Sequence, residues 1–116
     1  MCHVFSRIDS ARYASITRSV RLAGHATSIR LEAAFWTILE EIAAAQHISL
    51  GRLLTQLHDE VLEFSGEANN FASLLRCACL TYVADVRGDA DATRKLRAQA
   101  THDLGRFVES PQQTVA

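Results

Sequence analysis

Thr27-Ser28-Ile29-Arg30-Leu31 runs without a break into Glu32-Ala33-Ala34-Phe35-Trp36-Thr37-Ile38-Leu39, and the change of period inside this stretch decides the fold. Ile29 and Leu31 alternate with polar Ser28 and Arg30, the period of a β-strand. From Glu32 the apolar residues Phe35, Trp36, Leu39, Ile42 and Ala43 recur at helical spacing. A lone strand leaves its backbone amides and carbonyls without partners. Either the preceding segment or the same strand of a second chain must supply them.

The preceding segment offers one candidate. Ser19-Val20-Arg21-Leu22 alternates again, and Ala23-Gly24-His25-Ala26 provides a turn. Val20 and Leu22 then share a face with Ile29 and Leu31, as in a hairpin. An Asn-Gly or Asp-Gly turn, the usual hairpin signal, is missing. Residues 1–17 show no sustained period and read as a loose arm.

Downstream, the first helix is expected from about Ala33 to Gln46, after which comes the short link His47-Ile48. Ser49 is a good N-cap, because its hydroxyl accepts from an amide one turn on. The second helix has the cleanest pattern: Leu50, Leu53, Leu54, Leu57, Val61 and Phe64 on one side, with Gln56, Asp59, Glu60 and Glu63 largely on the other. Gly66 closes it. Asn69 or Asn70 caps a third helix over about Phe71–Val86. Residues 89–107 carry a weaker stripe of Leu96, Ala100, Leu104 and Phe107, and a tail follows from Ser110. The chain thus divides into a basic arm (1–18), a domain (19–87), and a tail or marginal helix (88–116).

With 116 residues, 48% of them hydrophobic and 22% charged, the chain suits one small domain with a packed core. The net charge of −1 hides an asymmetry. Residues 1–31 carry Arg7, Arg12, Arg18, Arg21 and Arg30 against Asp9, a balance of +4 that leaves −5 for the rest. A basic arm on an acidic body suits a polyanion binder, and equally a solvated tail. No apolar run approaches the roughly 20 residues that span a bilayer, and the N-terminus lacks an apolar signal region. Three cysteines (Cys2, Cys77, Cys79) make no disulfide framework and point to reduced thiols in the cytoplasm. Cys77 and Cys79 face different sides of a helix, and His47 and His58 lack ligand spacing with them, so no metal is expected. No nucleophile motif, Gly-rich phosphate loop or apolar carboxylate pair suggests an enzyme or a cofactor.

Strand, helix, short turn and Ser-capped helix, in this order, resemble the ribbon-helix-helix repressors. Gly24-His25-Ala26-Thr27-Ser28-Ile29-Arg30-Leu31-Glu32-Ala33-Ala34-Phe35-Trp36 resembles a GHxTSxxLExAFW stretch of bacterial members, and Asn70-Phe71-Ala72-Ser73-Leu74-Leu75-Arg76 resembles their third helix. The resemblance covers roughly residues 19–83. It implies a mainly α fold: one short N-terminal strand, or a hairpin, followed by three or four helices in an intertwined homodimer. Two chains would pair their strands into a ribbon that enters the major groove of double-stranded DNA.

On that resemblance Ala26, Ser28 and Arg30 face the bases, and Thr27, Ile29 and Leu31 face the helices. Ser49, Leu50, Gly51 and Arg52 at the second helix start, with Arg18 and Arg21, face phosphates. The dimer core is expected from Ile29, Leu31, Phe35, Trp36, Leu39, Ile42, Leu53, Leu54 and Leu57. The implied role is a transcriptional regulator, with a protein-interaction module or an antitoxin-like protein as alternatives; the latter adds a protein partner on residues 84–116. Two residues depart from the pattern. His47 stands where the turn usually has Gly, and Ala26 has no polar group for base reading. Arg30 also has an ordinary alternative, as an exposed strand residue paired with Glu32.

Overall fold

The computed structural model describes residues 3–66 and 70–109, without the side chains of Ser65 and 102–109. The candidate cap Asn69, the side chains of Leu104 and Phe107, Cys2 and the tail from Ser110 lie outside the described residues.

A single helical turn, α1 (Ser10–Tyr13), is capped by Asp9, whose carboxylate accepts from the Ala11 amide at 3.0 Å. Two eight-residue strands follow, β1 (Ser15–Leu22) and β2 (His25–Glu32), paired antiparallel. Ala23 and Gly24 join them with φ of 52° and 81°. Positive φ at both loop positions is the type I′ geometry whose twist matches the strands. Gly accepts this backbone freely, and Ala accepts it at a cost.

The partner of β2 is therefore the preceding segment of its own chain. This corrects the expectation that β2 finds its first partner in a second chain, which can reach only its other edge. It also corrects the arm boundary at residue 18, which falls inside β1. The reason lies in one side chain. Ile16, Arg18, Val20 and Leu22 share the face toward the helices, and Arg18 interrupts an otherwise apolar alternation. Its guanidinium lies 4.8 Å from the centroid of the Trp36 ring and pairs with Glu40 at 2.8 Å. A long stem thus covers apolar surface while its charge finds an aromatic face and a carboxylate.

Four longer helices complete the fold: α2 (Ala33–Ala45), α3 (Leu50–Ser65), α4 (Phe71–Thr81) and α5 (Ala90–Glu109). Gly66 ends α3 with φ 76°. Asn70 precedes α4 with φ 58°, but its side chain makes no cap bond; its carbonyl accepts from Leu74 at 3.1 Å instead. The third helix stops being regular at Thr81. Residues Tyr82–Val86 form a wide π turn closed by the Arg87 amide on the Tyr82 carbonyl at 2.8 Å. Arg87 also reaches Glu41 on α2 with two hydrogen bonds of 2.9 Å. A hydrogen bond from Tyr82, then one from Arg87, hold the Glu41 carboxyl below its ordinary value. Arg97 donates to the Ala45 carbonyl at 3.1 Å, satisfying the end of α2 and tying α5 to it.

A buried core forms within one chain. Leu22, Ile29 and Leu31 of the hairpin pack with Trp36, Leu39 and Ile42 of α2, Leu53 and Leu54 of α3, and Leu75 and Cys79 of α4. Seven of the residues expected in a dimer core (Ile29, Leu31, Trp36, Leu39, Ile42, Leu53 and Leu54) are thus buried without a second protomer, and Phe35 and Leu57 are half-buried. The extra helix α4, packed on α2 and β2, provides this cover. Among the described residues no helix is long and apolar enough to cross a membrane, and no group of three His, Cys, Asp or Glu could hold a metal ion.

Two outcomes are expected from this packing. Gly24→Val should lower stability by about 1–2 kcal/mol and Ala23→Asn should raise it by roughly 0.5–1 kcal/mol, read as shifts in the urea midpoint. Burial pushes the Cys79 thiol up to about 11. Iodoacetamide should therefore modify exposed Cys77 in the native protein and Cys79 only after denaturation, as read by peptide mass spectrometry.

Candidate nucleic-acid interface

The hairpin has two unlike faces because side chains alternate across a strand. Ile29 and Leu31 go inward with half-buried Thr27; Ala26, Ser28 and Arg30 go outward and are exposed. The register doubles this outward set. Thr17 stands opposite Arg30, Ser19 opposite Ser28, and Arg21 opposite Ala26. All six are exposed. The face thus presents three hydroxyls and two guanidinium groups, with nothing larger and apolar than a methyl. A ribbon of two strands spaced by about 4.8 Å fits a major groove roughly 12 Å wide.

Thr17 and Ser19 are absent from the residues expected at the site, although one signal points to them. The alternation of Ser19–Leu22 continues backward through Ser15-Ile16-Thr17 once Arg18 is accepted as an inward residue. Arg21 also acquires a different setting. It lies directly across from Ala26, so the position lacking a polar group has a guanidinium beside it. Its Nη1 donates to the Gly24 carbonyl at 3.2 Å, folding the side chain over the turn.

Arg18, expected at a phosphate, is on the opposite face, held by Trp36 and Glu40. The pairing of Arg30 with Glu32 does not form. Glu32 instead meets the Arg76 guanidinium of α4 at 2.9 Å. A hydrogen bond to its own backbone, then the one from Arg76, lower the Glu32 carboxyl, so this end of the face keeps a neutralised ion pair.

The start of α3 adjoins the turn end of the hairpin. Thr55 donates to the Gly51 carbonyl at 2.9 Å and also faces the Arg21 carbonyl at 3.4 Å. Ser49 caps the helix as expected, accepting from the Arg52 amide at 3.1 Å. That contact occupies one of the three amides expected to face a phosphate. The amides of Leu50 and Gly51 remain outside the intrahelical ladder at the positive end of the helix dipole. A side chain added at Gly51 would meet nothing within 4 Å, so this end is open. His47 has φ 59°, the left-handed conformation for which Gly is the usual choice.

Comparison with known proteins adds three findings. A model of the ribbon-helix-helix domain matches residues 15–83, which begins where β1 begins. No curated protein matches. Among solved structures, an uncharacterized protein from Bordetella pertussis Tohama I is similar, with a TM-score of 0.73 and 47% identity over 85% of this chain and 84% of that one.

Backbone strain at the α2–α3 turn is open to direct measurement. His47→Val should cost about 1–2 kcal/mol, because a β-branched residue resists positive φ, whereas His47→Gly should be neutral or stabilising by up to about 1 kcal/mol. Urea midpoints of the two variants check this.

Proposed function

The chain belongs to the ribbon-helix-helix family, and from that premise we propose that it is a DNA-binding transcriptional regulator, acting as a repressor. It lays the outer face of its hairpin in the major groove of double-stranded DNA. The observation that carries this reading is the paired polar face: Thr17 with Arg30, Ser19 with Ser28, and Arg21 with Ala26. Arg30 supplies the sharpest chemistry. Its fork matches guanine O6 and N7, a contact worth about 1–3 kcal/mol of discrimination. Ser28 and Ser19 donate or accept, so they tolerate several bases. Arg21 and the open amides of Leu50 and Gly51 take backbone phosphates, which position the ribbon without reading sequence.

A homodimer suits this role. One edge of β2 pairs with β1, and in this reading the other meets the same edge of a second copy. Antiparallel joining there would place two hairpins side by side and match the symmetry of a palindromic operator. Such a regulator works beside the DNA, in the bacterial cytoplasm.

Fluorescence anisotropy on genomic fragments tests the reading. Affinity is expected to fall steeply between about 50 and 200 mM salt as phosphate contacts release counterions. Arg30→Ala should weaken preference for the selected fragment by about tenfold with little effect on random DNA, while Arg12→Ala should change neither by much. Absence of binding at the low-salt end of that range would sink the proposal.

A further inference from the structure

A groove of about 1180 Å³ runs between α3, α4, the π turn and α5. Small-molecule sites take roughly 300–1,000 Å³, so it has room for one. Leu53, Leu57, Leu74, Val86 and Leu96 make its apolar lining. Its far wall is tied in place: Arg87 holds the π turn to Glu41 at 2.9 Å, and Arg97 holds α5 to the Ala45 carbonyl at 3.1 Å. Val86 and Leu96 lie beyond residues 15–83, so the ribbon-helix-helix domain alone does not build this groove.

One polar group interrupts the lining. Gln56 is only 6% exposed, and its buried Nε2 has no hydrogen-bond partner. An amide donor in that position carries a desolvation cost that an acceptor in the groove removes. A carbonyl oxygen suits it best, because it accepts and brings no donor of its own to satisfy. The lining also selects against negative charge. Among the described residues no Lys or Arg lines the groove, and the Asp59 carboxylate stands on its α3 side. An anionic ligand would lose its water there without meeting a cation, at a large cost.

We propose that the groove is a binding site for an uncharged, mainly apolar small molecule that carries a carbonyl oxygen. The apolar body of the ligand packs on Leu57, Leu74 and Leu96, and its carbonyl accepts from Gln56 Nε2. Every residue the site uses comes from one protomer, so it needs no second copy of the chain. None of them belongs to the outer face of the hairpin, so ligand binding here does not depend on DNA binding.

Fluorescence titration of the full chain with two neutral dyes tests it. One is 6-propionyl-2-(dimethylamino)naphthalene, which has a ketone; the other is 2-(dimethylamino)naphthalene, which lacks it. The wild type is expected to bind both and to prefer the ketone by about fivefold, the worth of one hydrogen bond. In Gln56→Leu that preference should vanish, while the ketone-free dye binds as before or more tightly. Ala78→Phe, which fills the groove from a half-buried position on α4, should abolish binding of both dyes. Circular dichroism checks that both variants fold. A wild type that binds neither dye would overturn the proposal. So would a ketone preference that folded Gln56→Leu retains, since the dye would then sit elsewhere. Release of bound dye as protein concentration rises would also overturn it, because copies of the chain would then cover the groove.

Discussion

The Trp36 indole holds the molecule together at its most consequential joint. It is 1% exposed, and its Nε1 donates to the Ile16 carbonyl at 2.9 Å. That single bond ties the first helix after the hairpin to the strand farthest from it in sequence. It also satisfies a buried indole N–H, which would otherwise oppose burial of so large a ring. Arg18 then lies across the same ring and reaches Glu40. The Ala33 amide closes the joint by donating to the Ala14 carbonyl at 2.9 Å. Once β1 is pinned to α2 in this way, β2 is held between them, and Ile29 and Leu31 have only one side on which to bury.

The functional face follows from that constraint. With the inner face committed to Trp36, Leu39 and Leu54, the alternate residues of both strands are left to solvent in register. Three hydroxyls and two guanidiniums come to lie on one narrow ribbon because the strands pair, not because they are neighbours in sequence. The start of α3 joins the ribbon through Thr55, which faces both Arg21 and Gly51. The ribbon's two arginines have different surroundings. Arg21 folds back over the turn, whereas Arg30 stands across from Thr17 on the open face. Arg18, on the same strand as Arg21, belongs wholly to the core joint.

Much of this is legible in the chain before it folds. The period of Ile29 and Leu31 assigns the faces of β2, and the Ser49 cap and Gly66 bound α3 to the residue, although Phe64, expected on the buried stripe of α3, is 91% exposed. Other features are hidden for definite physical reasons. Arg18 disguises β1, because its inward role depends on a ring in the following helix. The Ala23-Gly24 turn carries no familiar signature because Ala tolerates positive φ only under the pull of the paired strands. The end of α4 in a π turn has no composition cue; it is set by Tyr82 and Arg87 reaching Glu41 on another helix. Ser49 takes one amide from the set expected for phosphate, a local competition between cap and ligand.

The local elements, then, are written in the amino-acid order alone: where strand turns to helix at Glu32, which side of each helix is apolar, and which residues cap or break. These are contests among neighbouring residues, and the 2.0 and 3.6 periods express them directly. The partners were open until the chain folded. Whether Glu32 meets Arg30 or Arg76, and which helices cover the inner face of the hairpin, depend on groups far apart in sequence. An isolated strand has the same unsatisfied amides whichever partner supplies the carbonyls. Here the two-residue Ala23-Gly24 turn brings β1 alongside β2, and Trp36 holds it there through the Ile16 carbonyl.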